Sequence, residues 1–448
     1  MSQPTLTVSG YRGIWGESLT IPIAERFARA FSSFLKERNP DPIILIGRDG
    51  RESGKEIKEA VIAQFRKCGV SVIDGDILPT PTVLFAVRTH NYDGALIITA
   101  SHNPIEYNGL KFVMGSALFA NEEEIAQIQS HYDADDATTS NEEAMLMSVS
   151  DFPREHADHI LKFTNVDAIR ARKLKAVVDM TNASACVLDP YLFKQLGVEL
   201  IAINDIPNGK FTHMPEPKPE NLTELSEAVR THKADIGFAQ DPDADRLVVA
   251  NEHGEIISEE LTLALGIEYV LSHHPGSAIA INMSTSQANC DIAEKYGGKC
   301  IRTKVGEAYV TEGILENNAI IGGEGTGSSI FPTINTARDS FVSLMLVFGL
   351  MSERKQTVSE CVASLPQYVM RKDKMPRESD LSLMYAKMKS HFTNIEVNEL
   401  DGLRLDFSDS SWIHLRPSNT EPIVRLYGEA KTKERIDALF EETKSLFI

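Results

Sequence analysis

Basic residues are in short supply: of 448 residues, 45 are Lys or Arg against 64 Asp or Glu, a formal charge of −19. Nucleic-acid binding needs a basic footprint on the phosphate backbone, so the balance argues against that class. Local cationic clusters can still hold small anions inside an acidic surface. Cysteine is scarce as well. The five (Cys68, Cys186, Cys290, Cys300, Cys361) are scattered, odd in number and form no C-x-x-C pair. They read as reduced core cysteines rather than a disulfide or zinc framework. Long apolar runs are missing too: Leu344 to Met351 spans eight residues, where a membrane helix needs about 20. Met1 to Trp15 lacks the cationic segment and apolar run of a secretory signal. A cytoplasmic protein is expected, with neither nucleic acid nor membrane as partner.

What is present is ordinary globular material, 42% apolar and 24% charged, enough for several cores. At about 100–200 residues per domain the length implies three or four domains. Three segments share one pattern. Pro42 to Ile46, Leu174 to Val178 and Ala278 to Ile281 are short buried-strand runs. Each is followed by polar residues placed to cap a helix (Asp49 and Ser53, Asn182, Ser284). A helical stretch then ends at Gly69, Gly197 or Gly297, suited to the left-handed position after a helix, before another strand. This is a βαβ unit written three times, which gives mainly parallel strands. Each unit continues into one more buried strand that runs into a polar loop: TASHNP after Ala95 to Ile98, QDPDADR after Ile236 to Ala239, GGEGTGS after Ala319 to Ile321. Ligands of open α/β sheets gather beyond the carboxyl ends of strands, so three such loops suggest one composite site. From about Lys372 a helix (Leu381 to His391), strand pairs turning at Asp401-Gly402 and near Pro417, and a final amphipathic helix (Lys433 to Phe447) imply a smaller α+β domain.

Four loops carry chemistry. In Thr99 to Pro104, Ser101 follows a buried strand without the G-x-S-x-G elbow of hydrolases. A serine that carries a phosphoryl group needs less activation than a hydrolase nucleophile, although Ser, Asn and Pro there are also plain turn formers. In Asp241-Pro-Asp-Ala-Asp-Arg246, alternate aspartates aim three carboxylates the same way, a hard-oxygen pocket for Mg²⁺. Arg246 where an EF-hand needs glycine excludes that motif. Gly322 to Gly327 lets backbone approach a ligand, with Glu324 as an acceptor for hydroxyls; no Walker lysine follows, which disfavours a nucleotide. Arg416 to Pro422 joins a cation to the neutral donors Ser418, Asn419 and Thr420, a composition suited to phosphate. An ordinary hairpin connection is the competing reading of that loop.

Together with Gly10-Tyr-Arg-Gly13, these four loops in this order resemble the α-D-phosphohexomutase superfamily over nearly the whole chain. The resemblance implies three similar mixed-sheet α/β domains plus a smaller C-terminal α+β domain around a central cleft. The expected domains are 1–140 with the serine loop, 150–254 with the metal loop, 255–368 with the sugar loop and 372–448 with the phosphate loop. It further implies a phosphorylated Ser101 that shares Mg²⁺ with Asp241, Asp243 and Asp245. Arg12 and Arg246 would support the phosphoryl group, with Lys111 or His102 as acid/base or electrostatic helper. Lys304, Glu324 and Thr326 would contact the sugar. Arg416, Ser418, Asn419, Thr420 and Arg425 would grip the phosphate that is not reacting. The expected cofactors are Mg²⁺ and a hexose 1,6-bisphosphate as activator and intermediate; the partner is a small sugar phosphate, and the protein a monomer or homodimer.

One departure stands out: many relatives carry Ser-Gly-His in the sugar loop, where this chain has Thr326-Gly-Ser328. The expected reaction interconverts hexose 6- and 1-phosphates. Glucosamine phosphate is favoured by the likeness of SGYRGIWGESL, GGEGTGS and IHLRPSNTEPIVRLYGEA to phosphoglucosamine mutase-type chains. Mannose or glucose phosphate is the alternative within the family. A sugar-phosphate phosphatase using the first aspartate of D-x-D, or a non-catalytic sugar-phosphate sensor, are alternatives outside it.

Overall fold

The computed structural model describes residues 6–137, 139–140, 142–376, 381–417 and 423–447. Four sheets follow one another along the chain, of six, four, five and five strands. In the first three the expected repeat is realised as one topology. The first strand of each unit (Ile43–Arg48, Lys175–Asp179, Ile279–Asn282) lies centrally. It pairs in parallel with the second strand (Ser71–Ile77, Glu199–Ile203, Cys300–Thr303) and with the third (Gly94–Ile98, Ile236–Gln240, Ile321–Gly323). A fourth strand (Tyr107–Met114, Leu247–Ala250, Ser329–Phe331) returns antiparallel to the third. The serine, metal and sugar loops therefore occupy the same place in three copies of one fold: the turn between third and fourth strands.

The glycines after the first crossover helices behave as expected, with φ of +75° at Gly69, +65° at Gly197 and +74° at Gly297. The polar residues ahead of those helices do not. Asp49 accepts from the Arg51 N–H (2.8 Å) and Nε (3.0 Å), Asn182 donates to the Lys210 carbonyl (2.9 Å), and Ser284 Oγ lies 3.0 Å from His414 Nδ1. They tie loops and domains together instead of capping, because the helices start several residues further on, at Asp189 and Ala288 in the second and third units. The cysteine expectation also needs correcting. Helix Ala288–Lys295 and the turn at Gly297 bring strand Cys300–Thr303 back beside the helix start, and Cys290 and Cys300 form a disulfide. Cys68, Cys186 and Cys361 are free.

Packing divides the molecule unevenly. The second and third sheets share one apolar core through helices Glu259–His273 and Ser340–Arg354. The run Leu344 to Met351 is the buried middle of the latter, with Phe348 against Phe193 and Phe238. Among the described residues no helix is long and apolar enough to cross a membrane. The tail, an antiparallel sheet with helices Leu381–His391 and Lys433–Ser445, has a core of its own. It docks on the third unit through polar contacts: buried Glu429 accepts from the Gln287 N–H at 2.7 Å and from Ser286 Oγ at 2.5 Å.

Candidate active site

The loops converge on one cleft of about 1240 Å³ lined by residues of every sheet, Arg12, Arg246, Glu324 and Arg416 among them. Its floor is the serine loop. Ser101 sits at φ +49° and is 2% exposed. A non-glycine residue in that region costs about 1–3 kcal/mol, so the surroundings must over-determine it. Arg51 does so. Its fully buried guanidinium donates to the carbonyls of Ser101 (2.7 Å), Asn103 (2.7 Å), Pro104 (2.7 Å) and Tyr107 (3.0 Å), and it pairs with buried Asp49. Thr99 completes the clamp, accepting from the Ser101 N–H at 2.8 Å and donating to Asp49 at 2.7 Å.

Ser101 Oγ donates to Asp241 Oδ2 at 2.7 Å and lies 3.2 Å from His102 Nδ1. The three aspartates meet with one oxygen each inside a 4.8 Å spread. They do so through a tight turn, not the strand alternation expected: the Ala244 N–H returns to the Asp241 carbonyl at 2.9 Å, with Ala244 at φ +53°. Asp241 has both oxygens held, Asp243 and Asp245 one each. Asp241 Oδ1 accepts from the N–H groups of Asp245 (3.1 Å) and Arg246 (3.0 Å). Asp243 Oδ2 accepts from Thr80 Oγ1 (2.8 Å) and Lys111 Nζ (2.6 Å). Asp245 Oδ2 lies 3.3 Å from Lys111 Nζ and 2.9 Å from Arg338 Nη2. Asp243 Oδ1 and Asp245 Oδ1 are buried without a partner. Two orphaned oxygens beside Asp241, all hard ligands, fit a divalent cation.

Charge follows this geometry. Burial and the charges of Asp245 and Asp243 push the Asp241 carboxyl well above the usual carboxylate range. Burial is the largest single influence on Asp243 and Asp245 too and acts the same way. It is outweighed at the first by the charge and hydrogen bond of Lys111 with the Thr80 hydrogen bond, and at the second by the charges of Arg338, Lys111 and Arg246 together, so both are held below that range. Lys111 loses by burial and gains more from the two aspartates, so its ammonium stays protonated. His102 is driven to about 2 by burial and by Arg246 and Arg12, which keeps its imidazole neutral. Arg12 donates to Asn103 Oδ1 at 3.0 Å, and the Nε atoms of Arg12 and Arg246 are buried donors without a partner. Gly10 brings Arg12 there: at φ +89°, a Cβ would lie 2.2 Å from the Leu110 carbonyl.

Opposite the floor, Glu324 accepts from Asn282 Nδ2 (2.8 Å) and the Gly306 N–H (2.9 Å), with Thr326 and Lys304 beside it. Gly327, at φ +102°, lets this loop lie against the metal unit, where a Cβ would be 1.9 Å from the Leu247 carbonyl. Ser328, in the position where an imidazole was missed, is wholly buried and its Oγ has no partner. On the tail side Arg416 Nε forms an ion pair with Asp401 Oδ2 at 2.9 Å, and Arg425 lies 3.4 Å from Tyr427 Oη. Ser418, Asn419 and Thr420 lie outside the described residues. Sequence reasoning missed Arg51, Thr80, Glu307, Arg338 and Asp401. Only Arg51 had a signal, its place just past a strand in Asp49-Gly-Arg51.

Family models for phosphoglucomutase/phosphomannomutase match the chain end to end: alpha/beta/alpha domain I over residues 5–139, domain II over 154–254, domain III over 259–368 and the C-terminal domain over 372–446. A phosphoglucomutase/phosphomannomutase of Thermococcus kodakarensis is 35% identical over 95% of this chain and 94% of its own. A chain of Pyrococcus abyssi named "probable phosphoglucosamine mutase" is 33% identical over 98% and 96%. Among solved structures, a phosphoglucomutase/phosphomannomutase family protein of Burkholderia thailandensis superimposes with a TM-score of 0.87 at 27% identity, covering 100% of this chain and 97% of that one. The chain belongs to the phosphoglucomutase/phosphomannomutase family of α-D-phosphohexomutases, isomerases that work as intramolecular phosphotransferases.

Proposed function

We propose that this phosphohexomutase interconverts glucosamine 6-phosphate and glucosamine 1-phosphate through a phosphoserine at Ser101 and a bound sugar bisphosphate. The observation that carries the reading is the buried hydrogen bond from Ser101 Oγ to Asp241, directly beneath the His102, Arg12 and Arg246 side chains that line the cleft. A dedicated serine bonded into an aspartate triad suits a phosphoryl carrier better than a phosphatase in which the first aspartate attacks. In the forward half-reaction the bond from phosphorus to Ser101 Oγ breaks as a sugar oxygen bonds to phosphorus. In the second half the other phosphoryl group returns to Ser101, so the proton lost by one hydroxyl over the cycle is regained by the other. Asp241, Asp243, Asp245 and the Ser101 oxygen would hold Mg²⁺, which supplies charge neutralisation at the transferring group. Arg12 and Arg246 offer the same group their buried donors. Lys111 keeps the triad in shape as a fixed charge, and neutral His102 orients the serine oxygen. Glu324, Thr326 and Lys304 take the sugar, while Arg416 and Arg425 grip the distal phosphate.

Glucosamine is favoured over mannose and glucose by the loop sequences and by the full-length relatives named for phosphoglucosamine. Interconversion of the 1- and 6-phosphates of glucosamine, mannose and glucose, assayed side by side with Mg²⁺, tests the reading. The highest kcat/KM is expected on glucosamine. A clear preference for mannose or glucose would reassign the substrate, and release of inorganic phosphate without isomerisation would overturn the mutase reading.

A further inference from the structure

Among the described residues, a single side chain joins the metal loop to the sugar loop. Arg338 lies on strand Asn335–Asp339 and is 8% exposed. Its Nη2 is 2.9 Å from Asp245 Oδ2, and its Nη1 is 3.0 Å from Thr326 Oγ1 and 3.4 Å from Glu324 Oε2. Glu307, in the first turn of helix Glu307–Glu316, grips it from behind, accepting from Nε at 3.1 Å and from the Arg338 backbone N–H at 2.7 Å. We propose that Arg338 is a positioning residue that sets the sugar-reading groups Glu324 and Thr326 in register with Asp245, and so determines which hexose phosphate the enzyme prefers.

Planar geometry is the physical basis. A guanidinium presents five donors in a rigid fork, so partners on different edges are fixed relative to one another, which a lysine ammonium cannot do. Glu324 already spends Oε1 on Asn282 and the Gly306 N–H. Its Oε2, beside Arg338, is the oxygen left to face a sugar hydroxyl, with Thr326 Oγ1 as neighbour. Asp245 belongs to the triad around the transferring phosphoryl group. The hydroxyl that is read and the oxygen that reacts are thus referred to the same guanidinium. A misplacement of 1 Å at such a site costs on the order of 10²-fold in rate. A site built around a hydroxyl can reject an analogue lacking that contact by far more than an apolar pocket can. A brace with no part in recognition would slow every sugar alike.

The assignment rests on the mutase reading, and the experiment separates the two. Full-length wild type, Arg338→Lys and Glu307→Gln are compared for kcat and KM on glucosamine, mannose and glucose 1-phosphates. Mn²⁺ binding without sugar is followed by electron paramagnetic resonance. Arg338→Lys keeps the charge and loses the fork. The kcat/KM ratio between best and worst sugar should fall about 10-fold or more, mainly through kcat on the best sugar. Mn²⁺ affinity should change by less than the roughly 10-fold expected when a metal site loses a supporting group. Glu307→Gln, which still accepts from the Arg338 N–H, should shift the ratio in the same direction by less, and it carries the test if the lysine variant does not fold. An unchanged ratio with equal loss on all sugars would overturn the assignment. So would a wild type that treats the three sugars alike, or loss of Mn²⁺ binding with selectivity intact. A wild type inactive on all three would overturn the mutase reading itself, and this assignment with it.

Discussion

Behind the cleft-lining Lys111 and Arg338, Asp243 and Asp245 are fully buried, share the Lys111 ammonium, and are held further by Thr80 and Arg338. At the tail side of the same cleft, Arg416 faces one carboxylate, Asp401, whose Oδ2 also accepts from the Val305 N–H at 2.9 Å. The first arrangement is locked by side chains from three units of the chain. The second is a cation resting on a carboxylate that a phosphate can replace. On the proposed reading, the groups at the reacting bond are preorganised, while Arg416, assigned to the distal phosphate, keeps an exchangeable partner.

Breaking the lock should cost most. Arg51→Ala removes a buried cation that pairs with Asp49 and holds four carbonyls of the serine loop. It leaves Asp49 buried and unpaired, so stability should fall by about 3–5 kcal/mol in urea unfolding. Asp243→Asn keeps the shape and removes one triad charge. Metal affinity and turnover should drop together, turnover by about 10²–10³-fold, with the circular dichroism spectrum unchanged. EDTA should mimic the loss in wild type, and full turnover after EDTA would refute the triad as a metal site.

The joint between the tail and the third unit should respond to pH. His414, buried between Ser284 and the Asp401 carbonyl, is pushed down to about 4 by burial. Its folded value lies below the unfolded value of 6.5. The stability it contributes is therefore complete above pH 6.5 and is lost as pH falls towards 4. Over that window wild type should lose no more than about 3 kcal/mol relative to His414→Gln, read from thermal unfolding. The smallest effect belongs to the exchangeable side. Arg416→Ala should raise KM about 10-fold, roughly 1.4 kcal/mol, and lower kcat less, because a grip on the distal phosphate is much the same in ground and transition states. A collapsed kcat with unchanged KM would move Arg416 to the reacting phosphoryl group.

The repeat was legible because strand, helix and glycine periodicities are local, and the four loops because each packs its chemistry into about six consecutive residues. The polar residues ahead of the helices misled because Asp49 and Ser284 answer to partners far along the chain, Thr99 and His414, not to the nearest helix. Arg338, Glu307 and Thr80 were invisible for the same reason: each is an unremarkable residue whose partners lie 12 or more positions away. The Cys290–Cys300 disulfide escaped because spacing alone does not reveal that a helix and a glycine turn return the chain onto itself.

The central claim is that Ser101 carries the phosphoryl group, and intact-mass analysis after incubation with hexose 1,6-bisphosphate and Mg²⁺ tests it most directly. Wild type should gain the mass of one phosphoryl group, Ser101→Ala should gain none, and transfer from the labelled wild type to hexose 1-phosphate should remove it again. An equal adduct on both proteins would place the phosphoryl group elsewhere and contradict the account.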